Sequence, residues 1–387
     1  MRYITAPQVH NGYGFLPSPT VIAVHEDGSI ADVIPLSEVP GDASRIEQHE
    51  GMLCPSFVNA LCHLELSHLY RRIPEHTGLV EFVSRIPEVR KEDNSVLIRE
   101  AVLEAARQMH DKGIIAVGDI SNTTDTLGVR DRIPLHMHTF IECMGIIPDL
   151  AGKRFEASQA VYEAYKVAGG PYLRRATIVP HAPYSVSRPL LERIAAVAGT
   201  GVVSVHNQES EAEIRFFADR SGDLLQLYNA LQIDTSRLDI TGTSLLEYIV
   251  SGLPEKTPLI LVHNTFTSEK DIAYLQYRRD NISLCLCPNA NWYIERRLPD
   301  IPMLERSGFR ICLGTDSLAS NYGLDIYAEV LVILEHFPSI PMETVLRWAT
   351  LNGAKALQMD DIIGSLEPGK RPGLNLITPD NQVVRLL

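Results

Sequence analysis

The amino-acid sequence predicts an α/β fold: a TIM-like (β/α)8 barrel with a small flanking β-sandwich domain built from both chain ends. Three observations predict it. Eight short apolar runs recur, most followed by a polar turn and a helical pattern, and such alternation argues a parallel sheet closed into a barrel. Both chain ends instead carry short β-rich runs split by Gly and Pro. Five of the eight runs end in a His or an Asp, and barrels collect functional side chains at the C-terminal ends of their strands.

The chain opens with short strand-like runs such as Val21-Ile22-Ala23-Val24 and Asp32-Val33-Ile34. The barrel runs follow at 55–63, 113–120, 134–142, 176–181, 201–206, 258–263, 282–287 and 309–316. Apolar residues at helical spacing predict helices over 96–112, 190–198 and 325–337 between them. Turn chemistry at Gly364-Ser365-Leu366-Glu367-Pro368-Gly369-Lys370 then leads into Leu374-Asn375-Leu376-Ile377. Neither end is long enough to bury a sheet alone, so the two are expected to pair. The expected domains are 1–54 plus 360–387 as the β domain and 55–359 as the barrel.

The 387 residues carry a formal charge of −13, from 48 acidic against 35 basic side chains, with no long basic run. Nucleic acid and anionic membrane surfaces are therefore excluded as expected partners, and a small-molecule substrate is expected. No apolar leader opens the chain and no run approaches bilayer length, so a cytoplasmic protein is expected. Cys54, Cys62, Cys143, Cys285, Cys287 and Cys312 are scattered, most of them inside apolar runs. Buried thiols are expected there rather than disulfides or a zinc knuckle.

The five run ends are His63, His181, His206, His263 and Asp316. One such His is ordinarily a hydrogen-bonded core or turn residue; four with an aspartate at one rim suit zinc or iron. In Asn59-Ala60-Leu61-Cys62-His63-Leu64-Glu65 a His at 61 would share a strand face with His63, but the chain has Leu61. Cys62 points to the opposite face. His136-x-His138 lies early in its run and reads as a packed or hydrogen-bonded pair.

Taken together, these blocks resemble the amidohydrolase superfamily, in particular its mononuclear metal-dependent deaminase and chlorohydrolase branch. The likeness is carried by Pro55-Ser56-Phe57-Val58-Asn59-Ala60-Leu61-Cys62-His63-Leu64, Val179-Pro180-His181-Ala182-Pro183-Tyr184-Ser185, Val205-His206-Asn207-Gln208-Glu209 and Leu261-Val262-His263-Asn264. Cys287-Pro288-Asn289-Ala290-Asn291, Leu313-Gly314-Thr315-Asp316-Ser317-Leu318-Ala319-Ser320-Asn321 and the 364–370 turn complete it, in order along nearly the whole chain. The family's first block normally reads His-x-His; Leu61 departs from it.

The resemblance implies one divalent metal, zinc or iron, held by His63, His206 and Asp316, with His263 as a fourth ligand or a partner of the bound water. It implies catalytic roles for Glu209, His263 and Asp316, with Glu209 moving a proton to a ring nitrogen and Asp316 taking the water proton. His181 is implied to contact substrate. Glu65, Glu81 and Glu142, with Trp292, are the remaining expected substrate contacts, and the 210–257 insertion is expected to shape specificity. The implied activity is hydrolytic deamination of an N-heterocycle, nucleobase or nucleoside-like molecule. Alternatives are hydrolysis of another C–N bond, as in a cyclic amide, imidazolone or formimino compound, loss of chloride, or a barrel without turnover because of Leu61. Barrels of this branch often pair into homodimers.

Overall fold

The structure is a computed structural model that describes residues 1–40, 45–166, 171–238, 240 and 244–387. Its first six strands are β1 (Arg2–Thr5), β2 (Gln8–Val9), β3 (Thr20–Val24), β4 (Ile30–Pro35), β5 (Ile46–Gln48) and β6 (Met52–Cys54). The central eight are β7 (Phe57–Cys62), β8 (Ile114–Ser121), β9 (His136–Cys143), β10 (Arg174–Pro180), β11 (Val203–Asn207), β12 (Leu259–His263), β13 (Ile282–Leu286) and β14 (Arg310–Leu313). The chain closes with β15 (Asn375–Ile377) and β16 (Val383–Arg385).

Strands β7 to β10 form one parallel four-stranded sheet and β11 to β14 another. The two join at both seams. The His206 amide donates to the His181 carbonyl at 2.9 Å, linking β11 to the end of β10. The Thr315 and Asp316 amides both donate to the Leu61 carbonyl, at 3.0 and 3.2 Å, linking the turn after β14 back to β7. Every residue of β7, β8, β9, β11, β12 and β13 is buried, as parallel strands covered on both faces require. That is why these segments read as continuous apolar runs rather than as alternating ones.

The helices lie close to their expected positions. Helix Ser95–Asp111 starts where Asn94 Oδ1 accepts from the Val96 and Leu97 amides. Helices Arg188–Ala198 and Ile326–His336 match the other two predicted segments, the latter capped by Asp325. The 210–257 segment contains helices Glu211–Asp219, Asp223–Ala230 and Leu245–Ser251; residues 239 and 241–243 within it lie outside the described residues. The eighth run ends earlier than expected, at Leu313, because Asp316 adopts a left-handed backbone with φ +56°.

The chain ends form two four-stranded sheets, ordered β4-β3-β1-β5 and β16-β15-β6-β2. β15 pairs antiparallel with β6, joining the C-terminal segment to the strand that leads into the barrel. Ile4, Ile22, Ile30, Leu53, Leu374 and Leu376 share a small apolar core separate from that of the barrel. All six cysteines are buried and free. Among the described residues, no helix is long and apolar enough to cross a membrane.

Candidate active site

Strand ends deliver each polar side chain to one rim. Glu142 is the penultimate residue of β9, His206 the penultimate of β11 and His263 the last of β12, while His63 and His181 immediately follow β7 and β10. Glu209 and Asp316 come from the turns after β11 and β14. Gln208, His263 and Asp316 hold left-handed backbones at φ +47°, +71° and +56°. Such conformations are uncommon outside glycine and cluster at functional sites.

The imidazoles stack in a row. Ring centroids of His63 and His206 lie 5.2 Å apart, those of His181 and His206 5.1 Å, and those of His206 and His263 5.2 Å. His206 Nδ1 meets His263 Nε2 at 3.1 Å, and His63 Nε2 lies 3.4 Å from Asp316 Oδ1. Second partners fix these groups. Ser185 Oγ sits 2.6 Å from His181 Nδ1, Asn291 Oδ1 2.8 Å from His263 Nδ1, and Ser320 Oγ donates to Asp316 Oδ2 at 2.6 Å. Partners of this kind orient ligand side chains.

Burial sets the charge states. It pushes His181 and His206 below the ordinary imidazole value and His263 down to about 4, which favours the neutral form that binds metals. Burial, assisted by Asp316, Glu213 and Glu295, drives Glu209 well above the carboxylate range. Its protonated form is favoured accordingly, and its Oε1 lies 3.6 Å from His263 Nε2.

Among the described residues, two groups bring three ligand atoms within 4.8 Å of one another: Glu142, His181 and His206, and then His206, Glu209 and His263. The expected triad of His63, His206 and Asp316 is not one of them. The nitrogen and oxygen donors fit zinc or iron. Cys62 does not join them, since burial holds its thiol well above its usual value and thus protonated.

His63, His181, His206, Glu209, His263 and Asp316 line one cavity of about 50 Å³. Leu66, Leu79, Phe82, Val83 and Ile86 form its apolar wall, with Tyr184 and Ser317 beside them. Leu79 is shared with an outer cavity of about 510 Å³.

The structure places three of the expected substrate contacts away from the histidines. Glu81 faces outward on helix Leu79–Arg90, pairs with Arg85 and lines only the outer cavity, because helical periodicity turns it away from Phe82. Trp292 is 37% exposed with its ring against His76 and His336, while the next residue, Tyr293, turns inward and donates to the Ile73 carbonyl. Glu65 is buried but fully engaged: its oxygens accept from the Asn122 and Thr123 amides, Asn122 Nδ2 and Thr123 Oγ1 at 2.9–3.1 Å. Glu142 lies with the histidines, 3.5 Å from His206 Nε2 and 4.0 Å from His181 Nε2.

His136 and His138 lie at the opposite end of β9. His136 Nδ1 accepts from the Leu173 amide at 2.9 Å and His138 Nε2 is 3.0 Å from Thr177 Oγ1. His68 Nε2 lies 3.8 Å from Asp93 Oδ2. Sequence reasoning missed Asn122, Ser185, Ser320 and the apolar wall. Ser185 and Ser320 each sit four residues after the group they hold, a spacing visible in the chain; Asn122 left no local signal.

Residues 52–386 match the Amidohydrolase family. The chain belongs to this family. A relative in Bacillus cereus, a 5-methylthioadenosine/S-adenosylhomocysteine deaminase, is 25% identical over 395 residues, covering 97% of this chain and 82% of its own. Aminofutalosine deaminase from Helicobacter pylori, solved with methylthio-coformycin, superposes with a TM-score of 0.81 at 22% identity, covering 98% of this amidohydrolase and 92% of that chain. An adenosine deaminase from Xanthomonas campestris with bound zinc gives a TM-score of 0.73 at 21% identity, over 97% and 84% of the two chains.

Proposed function

We propose that this amidohydrolase is a metal-dependent aminohydrolase that releases ammonia from an amidine carbon of an N-heterocycle in a nucleobase or nucleoside-like substrate. The observation that carries this reading is Glu209: a buried carboxyl facing the same small cavity as four histidines and Asp316, its pKa raised by burial. His206, with His63 and Asp316, would hold one divalent metal, zinc or iron. Such an ion supplies a water of lowered pKa at neutral pH.

The chain's own groups handle the protons. Glu209 gives its proton to the ring nitrogen beside the amino-bearing carbon, which makes that carbon electrophilic. Asp316, with Oδ2 held by Ser320, turns Oδ1 toward His63 Nε2 and the cavity, where it takes the proton that water loses on attack. His263, fixed by Asn291, orients that water through Nε2. His181 offers Nε2 to the substrate while Ser185 holds its other nitrogen. Asp316 passes the water proton to the exocyclic nitrogen, which leaves as ammonia, while Glu209 takes the hydroxyl proton as the new carbonyl forms. The apolar wall excludes bulk water. The two small end sheets are read as a β-sandwich over 1–54 and 360–387, flanking the barrel of 55–359.

Leu61 favours a second reading, a barrel that binds such molecules without turnover. An ammonia-release screen of the zinc-supplemented protein separates the two. Adenosyl compounds and purine bases head the panel, because the relatives named above act on adenosine-type molecules; pyrimidines and formimino acids follow. Release from one of them, abolished in Glu209→Gln, is the expected result. Binding without release from any member would replace the proposal with the second reading.

A further inference from the structure

Position 61 leaves this rim short of a polar group. Leu61 is fully buried and offers only its carbonyl, which the Thr315 and Asp316 amides already use. Two strands away, Glu142 presents the opposite anomaly. Its Oε1 is buried without a hydrogen-bond partner, although it stands 3.5 Å from His206 Nε2 and 4.0 Å from His181 Nε2. A carboxylate oxygen left unpaired in the interior is costly unless a charge is meant to meet it.

We propose that Glu142 replaces the ligand lost at position 61, binding the divalent cation through Oε1 beside His206 Nε2, with His181 Nε2 on the same side. This rests on the reading that the rim holds a cation. These three atoms lie within 4.8 Å of one another, and a glutamate oxygen beside histidine nitrogens is a known donor mix for catalytic zinc.

The surroundings are arranged to aim that oxygen. Asn122 Nδ2 donates to Glu142 Oε2 at 2.9 Å, so only Oε1 is free. Asn122 is itself held by Glu65, which accepts from both its amide and its side chain. The Glu65–Asn122–Glu142 chain thus gives the engaged Glu65 a purpose: it positions the ligand. Ser185 on His181 Nδ1 does the same across the site.

The test is zinc affinity, measured by competition with a fluorescent chelator, together with the visible absorption of the cobalt(II)-loaded protein. Glu142→Gln, which keeps the side-chain volume, should weaken zinc by more than about 100-fold, beyond the usual loss for an outer partner, and change the cobalt bands. Glu142→Asp, which keeps the charge but withdraws the oxygen, should also weaken it. Adding Leu61→His to Glu142→Gln should recover at least about tenfold, by returning a ligand. Melting of the metal-free variants checks that each is folded. Zinc affinity and cobalt bands unchanged in both Glu142 variants, in a protein that binds zinc, would overturn this inference alone. A wild-type protein that takes no zinc would overturn it together with the metal reading.

Discussion

Strands β11 to β14 carry His206, Glu209, His263 and Asp316, matching the family's order, and the backbone turns left-handed at three of their ends. Strands β7 to β10 carry His63, Glu142 and His181, with Leu61 where the family's pattern has a histidine. One half keeps its polar groups by local chain geometry: Ser320 holds Asp316 from four residues away. The other keeps them by contacts between strands, since Asn122 after β8 holds Glu142 on β9. A rim built by local turns tolerates little change, whereas one built across strands can move a carboxylate into a gap.

The largest expected effect lies in the second half. Glu209→Gln and Asp316→Asn should each lower kcat/KM by about 10²–10⁴, the range for removing a positioned proton donor or acceptor, read from steady-state ammonia release. Equal losses from Glu65→Gln would erase the difference between halves. Next comes packing in the first half: Leu61→Ala should cost about 2–5 kcal/mol in denaturant unfolding, because a fully buried side chain leaves a cavity. A cost near zero would mean that Leu61 fills no structural role and merely marks a loss.

Each half also buries an acid whose pKa rises on folding. Burial takes Asp119 on β8 to about 7 and Glu213, in helix Glu211–Asp219, to about 8. A raised acid favours the folded state most below its unfolded value, near 4, and that contribution is lost as pH climbs through the folded value. Below about pH 6.5 the buried histidines His10, His136 and His263, held at about 4, act in the opposite sense. The melting temperature should therefore fall only between about pH 6.5 and pH 8, and Glu213→Gln should flatten that slope more than Asp119→Asn. The smallest effects belong to the displaced contacts: Glu81→Ala, breaking an exposed pair, should shift stability by under about 1 kcal/mol and leave kcat unchanged.

The barrel was legible because parallel strands buried on both faces write themselves as apolar runs, and because His63, His181, His206 and His263 each close one. Glu209 and Asp316 were legible through fixed offsets in blocks that resemble a family. Glu65, Glu81 and Trp292 stand apart from the small cavity for a common reason: proximity in sequence to a strand end says little about direction. Glu81 and Trp292 lie on helices whose turn decides which neighbour faces inward, and Glu65 is captured by two backbone amides 57 and 58 residues away. The unpaired oxygen of Glu142 was out of reach, since it exists only where three strands meet.

Leu79 belongs to both the inner cavity of about 50 Å³ and the outer one of about 510 Å³. A space of about 50 Å³ holds a few waters, not a heterocycle, for which pockets run to about 300 Å³ or more. Helix Leu79–Arg90 borders both spaces, Leu79, Phe82 and Val83 facing the histidines and Val80, Glu81 and Ser84 the outer cavity. A substrate that spans the two would therefore be read along one helix by an apolar and a polar face.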